Sequence, residues 1–272
     1  MRNKNLRNRK GEIVVPSHGG KFPKDPESRL EALLAGLNTE PKQVLVLTCL
    51  DDTEWQTATD LWYNWKELEA DWLPISNHFA EYCKYRLIPN GLAQTQSILY
   101  PNTTRPVKRY KLSEEGYYYG RPASVLMLKY SIETQKPLQS IIGKNNSSWK
   151  NTRPPANRVK LLRLLDSGIT SIKELAHRLD VDVVSIVNNR LALNSSGLIE
   201  YQPERGRGRP NIQITSVGKH FLEELVKPLY SLCSKKPYEF LEKDYSPLDN
   251  PQIIRQYAIE GIRLYRNNKC EY

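Results

Sequence analysis

Three arginines separated by single glycines, Arg205-Gly206-Arg207-Gly208-Arg209, are the residues of this chain with the most definite chemistry. Glycine removes the intervening side chains, so three guanidinium groups sit on a slim backbone that fits a narrow groove. A·T-rich minor grooves concentrate negative potential and draw in arginines of this kind, favouring shape readout over base-by-base hydrogen bonding. A solvated charged turn is the plainer alternative.

The same pentapeptide lacks the Lys-Ser/Thr that would hold a nucleotide's phosphates and metal. The chain has no P-loop, no G-x-G-x-x-G after a strand and no G-x-S-x-G elbow. Adjacent carboxylates such as Asp51-Asp52 diverge at a helix end and read as a dipole-favourable or solvated pair, not as acid and base. His18, His78, His177 and His220 lie far apart, and Cys49, Cys83, Cys233 and Cys270 form no C-x-x-C pair. The expectation is a protein that is not an enzyme, with no catalytic residue, no metal and no cofactor.

The elements that must carry the arginines lie on either side of them. Leu198 to Gln202 alternates as a strand, and Asn211 to Thr215 can pair back with it across 203–210. Upstream, Val159, Leu161, Leu162, Leu164 and Leu165 predict a helix that Gly168 stops. Ser171 and Glu174 have the spacing of a capping box for a second helix, with Ile172, Leu175, Ala176 and Leu179 as its apolar face. After a tight turn through Asp180 and Val181, a third helix has Val184, Val187 and Leu191 at i, i+3, i+7. Ser185, Asn188, Asn189 and Ala192 form its opposite, exposed stripe. Gly197 ends that helix, and Ser216 opens a fourth carrying Phe221, Leu222, Leu225 and Val226.

Helix, helix, turn, helix, two-stranded wing and closing helix together resemble the winged helix-turn-helix modules of MarR-, PadR- and ArsR-like transcription regulators. The residues that carry the resemblance are Gly197-Leu198-Ile199-Glu200-Tyr201, the Gly206-Arg207-Gly208-Arg209-Pro210 wing, and Ile212-x-Ile214-Thr215-x-x-Gly218-x-x-Phe221-Leu222. Arg207-Gly208-Arg209-Pro210 also resembles the core of AT-hook peptides. Docking as in that family implies a third helix in the major groove, with its N-terminal half toward the base edges. Ser185, Asn188, Asn189 and Arg190 are then the candidate contacts, the asparagines to adenine and Arg190 to phosphate or guanine. Arg205, Arg207 and Arg209 are the candidates in the minor groove.

These landmarks occur twice. Asn90-Gly91-Leu92 stands against Ser196-Gly197-Leu198, Arg105-Pro106 against Arg209-Pro210, and the segment ending at Gly116 against the one ending at Gly218. In the upstream copy, helices are expected over 44–50 and 57–65, and Ile75 to Leu87 is the candidate reading helix. Ile75, Phe79, Cys83 and Leu87 face its core. Asn77, His78, Lys84, Arg105, Lys108 and Arg109 are its weaker candidates for DNA contact. The upstream flank is acidic, with Asp51, Asp52, Glu54, Asp60, Glu67, Glu69 and Asp71 against Lys42 and Lys66, and with Glu81 on the helix it would repel phosphate. Trp55, Trp62, Trp65 and Trp72, and Tyr117 to Tyr119, read as packing residues.

The chain has 272 residues and a formal net charge of +10, which points to a polyanionic partner and allows two modules. Its apolar fraction of 39% suits a globular protein, and no apolar run of about 18 residues marks a membrane span. With no secretory signal evident, a cytoplasmic location is expected.

The fold class expected is mainly α with small β-wings (α+β), arranged as two tandem winged helix-turn-helix domains. The divisions are a flexible basic arm (1–26), a first domain (27–131), a basic linker (132–157), a second domain (158–232) and a C-terminal helical extension (233–272). Leu30, Leu33, Leu34 and Leu37 open the first domain on one helical face. Ile254, Tyr257, Ala258, Gly261, Ile262 and Tyr265 share a face in the extension, either closing the downstream core or forming a homodimer contact. The function this implies is sequence-specific binding of double-stranded DNA by a transcription regulator, without a membrane partner. A plasmid or viral replication initiator and a tandem winged-helix interaction scaffold are the alternatives.

Overall fold

The computed structural model describes residues 6–7, 13–16, 20–37, 46–47, 49–68, 76–101, 103–136, 138–142, 154–202, 211–236, 256, 259–260 and 263–264. The described chain is mainly helical with small antiparallel sheets, an α+β fold. Among the described residues no helix is long and apolar enough to cross a membrane.

Helix α1 (Pro26–Leu37) starts on Pro26, whose missing N–H is no loss in a first turn, and Asp25 accepts from the Ser28 N–H at 2.9 Å. Leu30, Leu33, Leu34 and Leu37 are buried, as their spacing predicts. Residues 46, 47 and 49 are helical. They are followed by strand β3 (Gln56–Thr57), α2 (Ala58–Leu68), and α3 (Ser76–Tyr82) with its π-turn (Cys83–Leu87). A hairpin, β4 (Ala93–Leu99) and β5 (Val107–Leu112), leads through a second π-turn (Gly116–Gly120) into α4 (Arg121–Glu133). Phe79, Cys83 and Leu87 are buried, so the four-residue spacing marks the inner face of α3. Trp62 and Tyr117 to Tyr119 pack on or within the core, as expected of them.

The second half runs α5 (Leu138–Ile141), α6 (Pro154–Asp166), α7 (Ile172–Leu179), α8 (Val183–Ser195), β6 (Ile199–Gln202) and β7 (Asn211–Ile214). It closes with α9 (Ser216–Phe221), a third π-turn (Leu222–Val226) and α10 (Lys227–Ser234). Gly168, at φ +87°, follows the end of α6 at Asp166, the stop its position predicts.

The two copies read from the sequence share one backbone device. Gly91 and Gly197 sit at φ +74° and +73°, a conformation that costs any other residue. Leu92 then donates to the Leu87 carbonyl at 2.9 Å, and Leu198 to that of Leu193 at 3.0 Å. After each hairpin a hydroxyl closes the lock. Ser113 Oγ donates to the Gly91 carbonyl at 2.6 Å and accepts from Gly116 N–H at 2.9 Å. Thr215 Oγ1 donates to the Gly197 carbonyl at 2.6 Å and accepts from Gly218 N–H at 3.0 Å. Gly116 and Gly218 are required because a Cβ there would meet the Leu92 and Leu198 carbonyl oxygens at 2.0 and 2.1 Å.

Three expectations need correction. The segment expected as a free basic arm holds β1 (Leu6–Arg7) and β2 (Ile13–Pro16), and β2 pairs with β4 in the register Val14 with Ile98. The resulting sheet has five strands in the order β1-β2-β4-β5-β3. Within the stretch expected as a linker, Leu138, Ile141 and Ile142 are buried, and α6 already begins at Pro154. The capping box is not made: Ser171 has no side-chain cap bond, and Glu174 pairs instead with Arg178 at 3.0 Å.

The halves share one apolar core and are joined through α1, which packs on α6, α10 and both upstream π-turns. Arg29 donates from Nη1 to the Cys233 carbonyl at 2.8 Å and the Lys235 carbonyl at 3.0 Å, and from Nε to Pro23 at 3.1 Å. Its guanidinium lies 4.8 Å from the Tyr119 ring centre, and the Tyr119 hydroxyl donates to the same Lys235 carbonyl at 2.7 Å. Glu27 takes the Arg163 guanidinium at 2.6 Å, and Glu31 pairs with Lys160.

Two sets of variants test this architecture by thermal unfolding. Arg29→Ala leaves α10 without a cationic partner for its last carbonyls and lowers stability by about 3 kcal/mol. Gly197→Ala, which meets no neighbour but keeps a positive φ, costs about 1 to 2 kcal/mol. Gly218→Ala forces a methyl onto backbone oxygen and costs about 3 kcal/mol or more.

Candidate nucleic-acid interface

The candidate site of the second half is built by α7, the turn after it, α8 and the β6–β7 hairpin. Asp180 ends α7 in the left-handed region at φ 51°, which lets the chain reverse within three residues. Asp182 then caps α8, its carboxylate accepting from the Ser185 N–H at 2.5 Å. That backbone hydrogen bond holds the Asp182 carboxyl below its ordinary value. Ile186 and Leu193, one heptad apart, anchor α8 to the core, and β6 packs beside it.

This anchoring turns the helix to a different phase from the one its spacing suggests. Val184, Val187 and Leu191, expected inside, are exposed at 67%, 39% and 59%. Asn189 and Arg190, expected outside, are buried at 8% and 6%. Neither is placed to touch a base edge or phosphate, and both leave the set of candidate contacts. Asn188 is exposed and Ser185 half-buried, both on the outward side. The exposed surface of α8 is therefore Val183, Val184, Val187, Asn188, Leu191, Asn194 and Ser195, aliphatic in its N-terminal two thirds apart from Asn188.

Strands β6 and β7 pair from Ile199 with Ile214 to Gln202 with Asn211, as the sequence predicts to within a residue. Arg205, Arg207 and Arg209 lie in the connection between them, outside the described residues.

In the first half, His78 and Lys84 are exposed on α3 and its π-turn, and the side chain of Asn77 is outside the described set. Lys84 donates to the Tyr85 hydroxyl at 2.8 Å. Arg105 and Lys108 are exposed on the β4–β5 hairpin, whereas Arg109 is half-buried and donates to the Tyr100 hydroxyl. The acidic flank is partly used up locally. Asp51 accepts from the N–H groups of Thr53 and Glu54 and from the Thr53 hydroxyl, and Asp60 accepts from the Thr57 N–H at 2.7 Å. The Thr53 contacts hold the Asp51 carboxyl below its usual range.

Sequence reasoning missed the joint around Arg29, Tyr119 and the end of α10, because a single arginine and a tyrosine carry no periodic signal. Burial pushes the Cys83 thiol up and that of Cys233 to about 12, so both stay protonated at neutral pH. Among the described residues, no group of three or more His, Cys, Asp or Glu side chains is placed to hold a metal ion. The candidate residues at the end of the chain, Ile254, Tyr257, Ala258, Gly261, Ile262 and Tyr265, lie outside the described set, although Leu264 beside them is buried. No protein-family model, curated protein or solved structure matches this chain.

The cap on α8 gives a pH signature. A carboxylate whose folded pKa is depressed contributes fully above its ordinary range, and the contribution disappears as pH falls through the lowered folded value. The Ser185 amide should therefore keep its hydrogen-bonded chemical shift at pH 5 and lose it on further acidification. Asp182→Asn should retain the cap without that titration, and Asp182→Ala should fray the first turn of α8 at all pH values.

Proposed function

We propose that the two repeated units are winged helix-turn-helix modules, and that the protein is a sequence-specific binder of double-stranded DNA acting in transcription regulation. The observation that carries this reading is the uncovered outer face of α8 beside a hairpin whose connection holds Arg205, Arg207 and Arg209. In this reading α8 lies in the major groove, with Ser185 and Asn188 toward base edges, while the arginine-glycine connection enters an adjoining A·T-rich minor groove. A net charge of +10 supports the electrostatic part of binding.

His78, Lys84, Arg105 and Lys108 give the first unit a weaker contact of the same kind. Because α1 ties the units together, two contacts on one duplex would have a set spacing. Recognition of a replication origin by a plasmid or viral initiator would use the same surface, and the genomic position of the bound site distinguishes the two roles. An interaction scaffold would show no affinity for duplex DNA.

Binding to A·T-rich and G·C-rich duplexes at two salt concentrations tests the proposal. The expected result is affinity that falls steeply with salt. Arg207→Ala with Arg209→Ala should weaken binding about tenfold or more on A·T-rich duplexes, and less on G·C-rich ones. Equal loss on all sequences would reduce the hairpin to a phosphate contact. No binding in dilute buffer would overturn the reading.

A further inference from the structure

Resting on the DNA-binding reading, we propose that α8 reads thymine through its C5-methyl group, with Val184 and Val187 as the specificity-determining side chains and Asn188 reading adenine next to them. Val184, Val187, Asn188 and Leu191 follow one another at three-, one- and three-residue steps, which places them along a single stripe of the helix. All four are exposed, and Ile186 and Leu193 fix the opposite side in the core, so the stripe cannot rotate inward without emptying that core.

Asn194 and Ser195 continue the stripe toward the C-terminus of α8, so it carries two amides, one hydroxyl and no charged side chain, and hydrogen bonding leaves Val184, Val187 and Leu191 without a role. In the major groove the only apolar group on a base edge is the thymine methyl, and aliphatic side chains are its natural partners. Val184 is four residues from Asn188 and three from Val187, so its side chain lies next to both on the stripe. An adenine paired by the Asn188 amide therefore has valine methyl groups on its side toward the N-terminus of α8, where the thymines of neighbouring A·T pairs present theirs.

The stripe belongs to a chain of net charge +10, and the β6–β7 connection that follows α8 in the sequence carries Arg205, Arg207 and Arg209. A polyanion bearing methyl groups complements both features at once. A·T preference would then be read twice, by methyl contact in the major groove and by arginine in the minor groove.

The test compares duplexes of one selected sequence, with deoxythymidine or deoxyuridine in the positions under α8. Uracil removes the methyl and keeps every hydrogen-bonding group. For the full-length protein, affinity should fall about fourfold per contacted methyl on the uracil duplex. In Val184→Ala with Val187→Ala, at exposed positions that leave folding intact, the thymine and uracil duplexes should bind alike.

Equal affinity of the unaltered protein for both duplexes would overturn the methyl reading while leaving DNA binding in place. A thymine preference that persists undiminished in the double variant would overturn the assignment to these valines. Absence of binding to either duplex would remove the inference together with the reading it rests on.

Discussion

Arg29 ends α10 from the other end of the sequence. Helix C-termini leave carbonyl groups unsatisfied and carry partial negative charge, and α10 meets both needs with one guanidinium from α1. The same group lies over Tyr119, which stacks on Phe22 at 5.1 Å and donates to Lys235. Loss of this joint would uncouple α1 from α10. With it in place, α1 serves as a shared wall, presenting leucines to a continuous core and Glu27 and Glu31 to α6. The two halves are thus covalently sequential but physically a single packed body.

Within each half a glycine, a hydroxyl and a second glycine fasten the hairpin to the helix before it. The device tolerates Ser or Thr and needs few side chains, which explains why short motifs sufficed to reveal the repeat. Gly91, Gly116, Gly197 and Gly218 were legible because backbone geometry admits nothing else there. Helices α1, α6 and α7 and both hairpins were legible from periodicity for similar local reasons.

Two features were not legible, and each depends on a distant partner. The pairing of Ile13–Pro16 with β4 joins segments about 80 residues apart, and nothing in a short basic stretch advertises such a partner. The phase of α8 misled for another reason. Val184, Val187 and Leu191 outnumber Ile186 and Leu193, so counting apolar positions selects the wrong face. The interior instead accepts Asn189 and Arg190 between its two anchors. A helix that hides polar groups and displays aliphatic ones departs from the usual pattern, and such departures concentrate where a surface has work to do.

Strand β2 has a further consequence. It occupies the flank of β4 over Gln96–Leu99, whose outward N–H and C=O groups would otherwise be open to any passing chain. The exposed margin passes instead to β1, two residues long and containing Arg7, too short and too charged to template growth. Trimming the gene ahead of Gly20 would uncover the longer flank, turning a covered edge into a nucleus for strand exchange and precipitation.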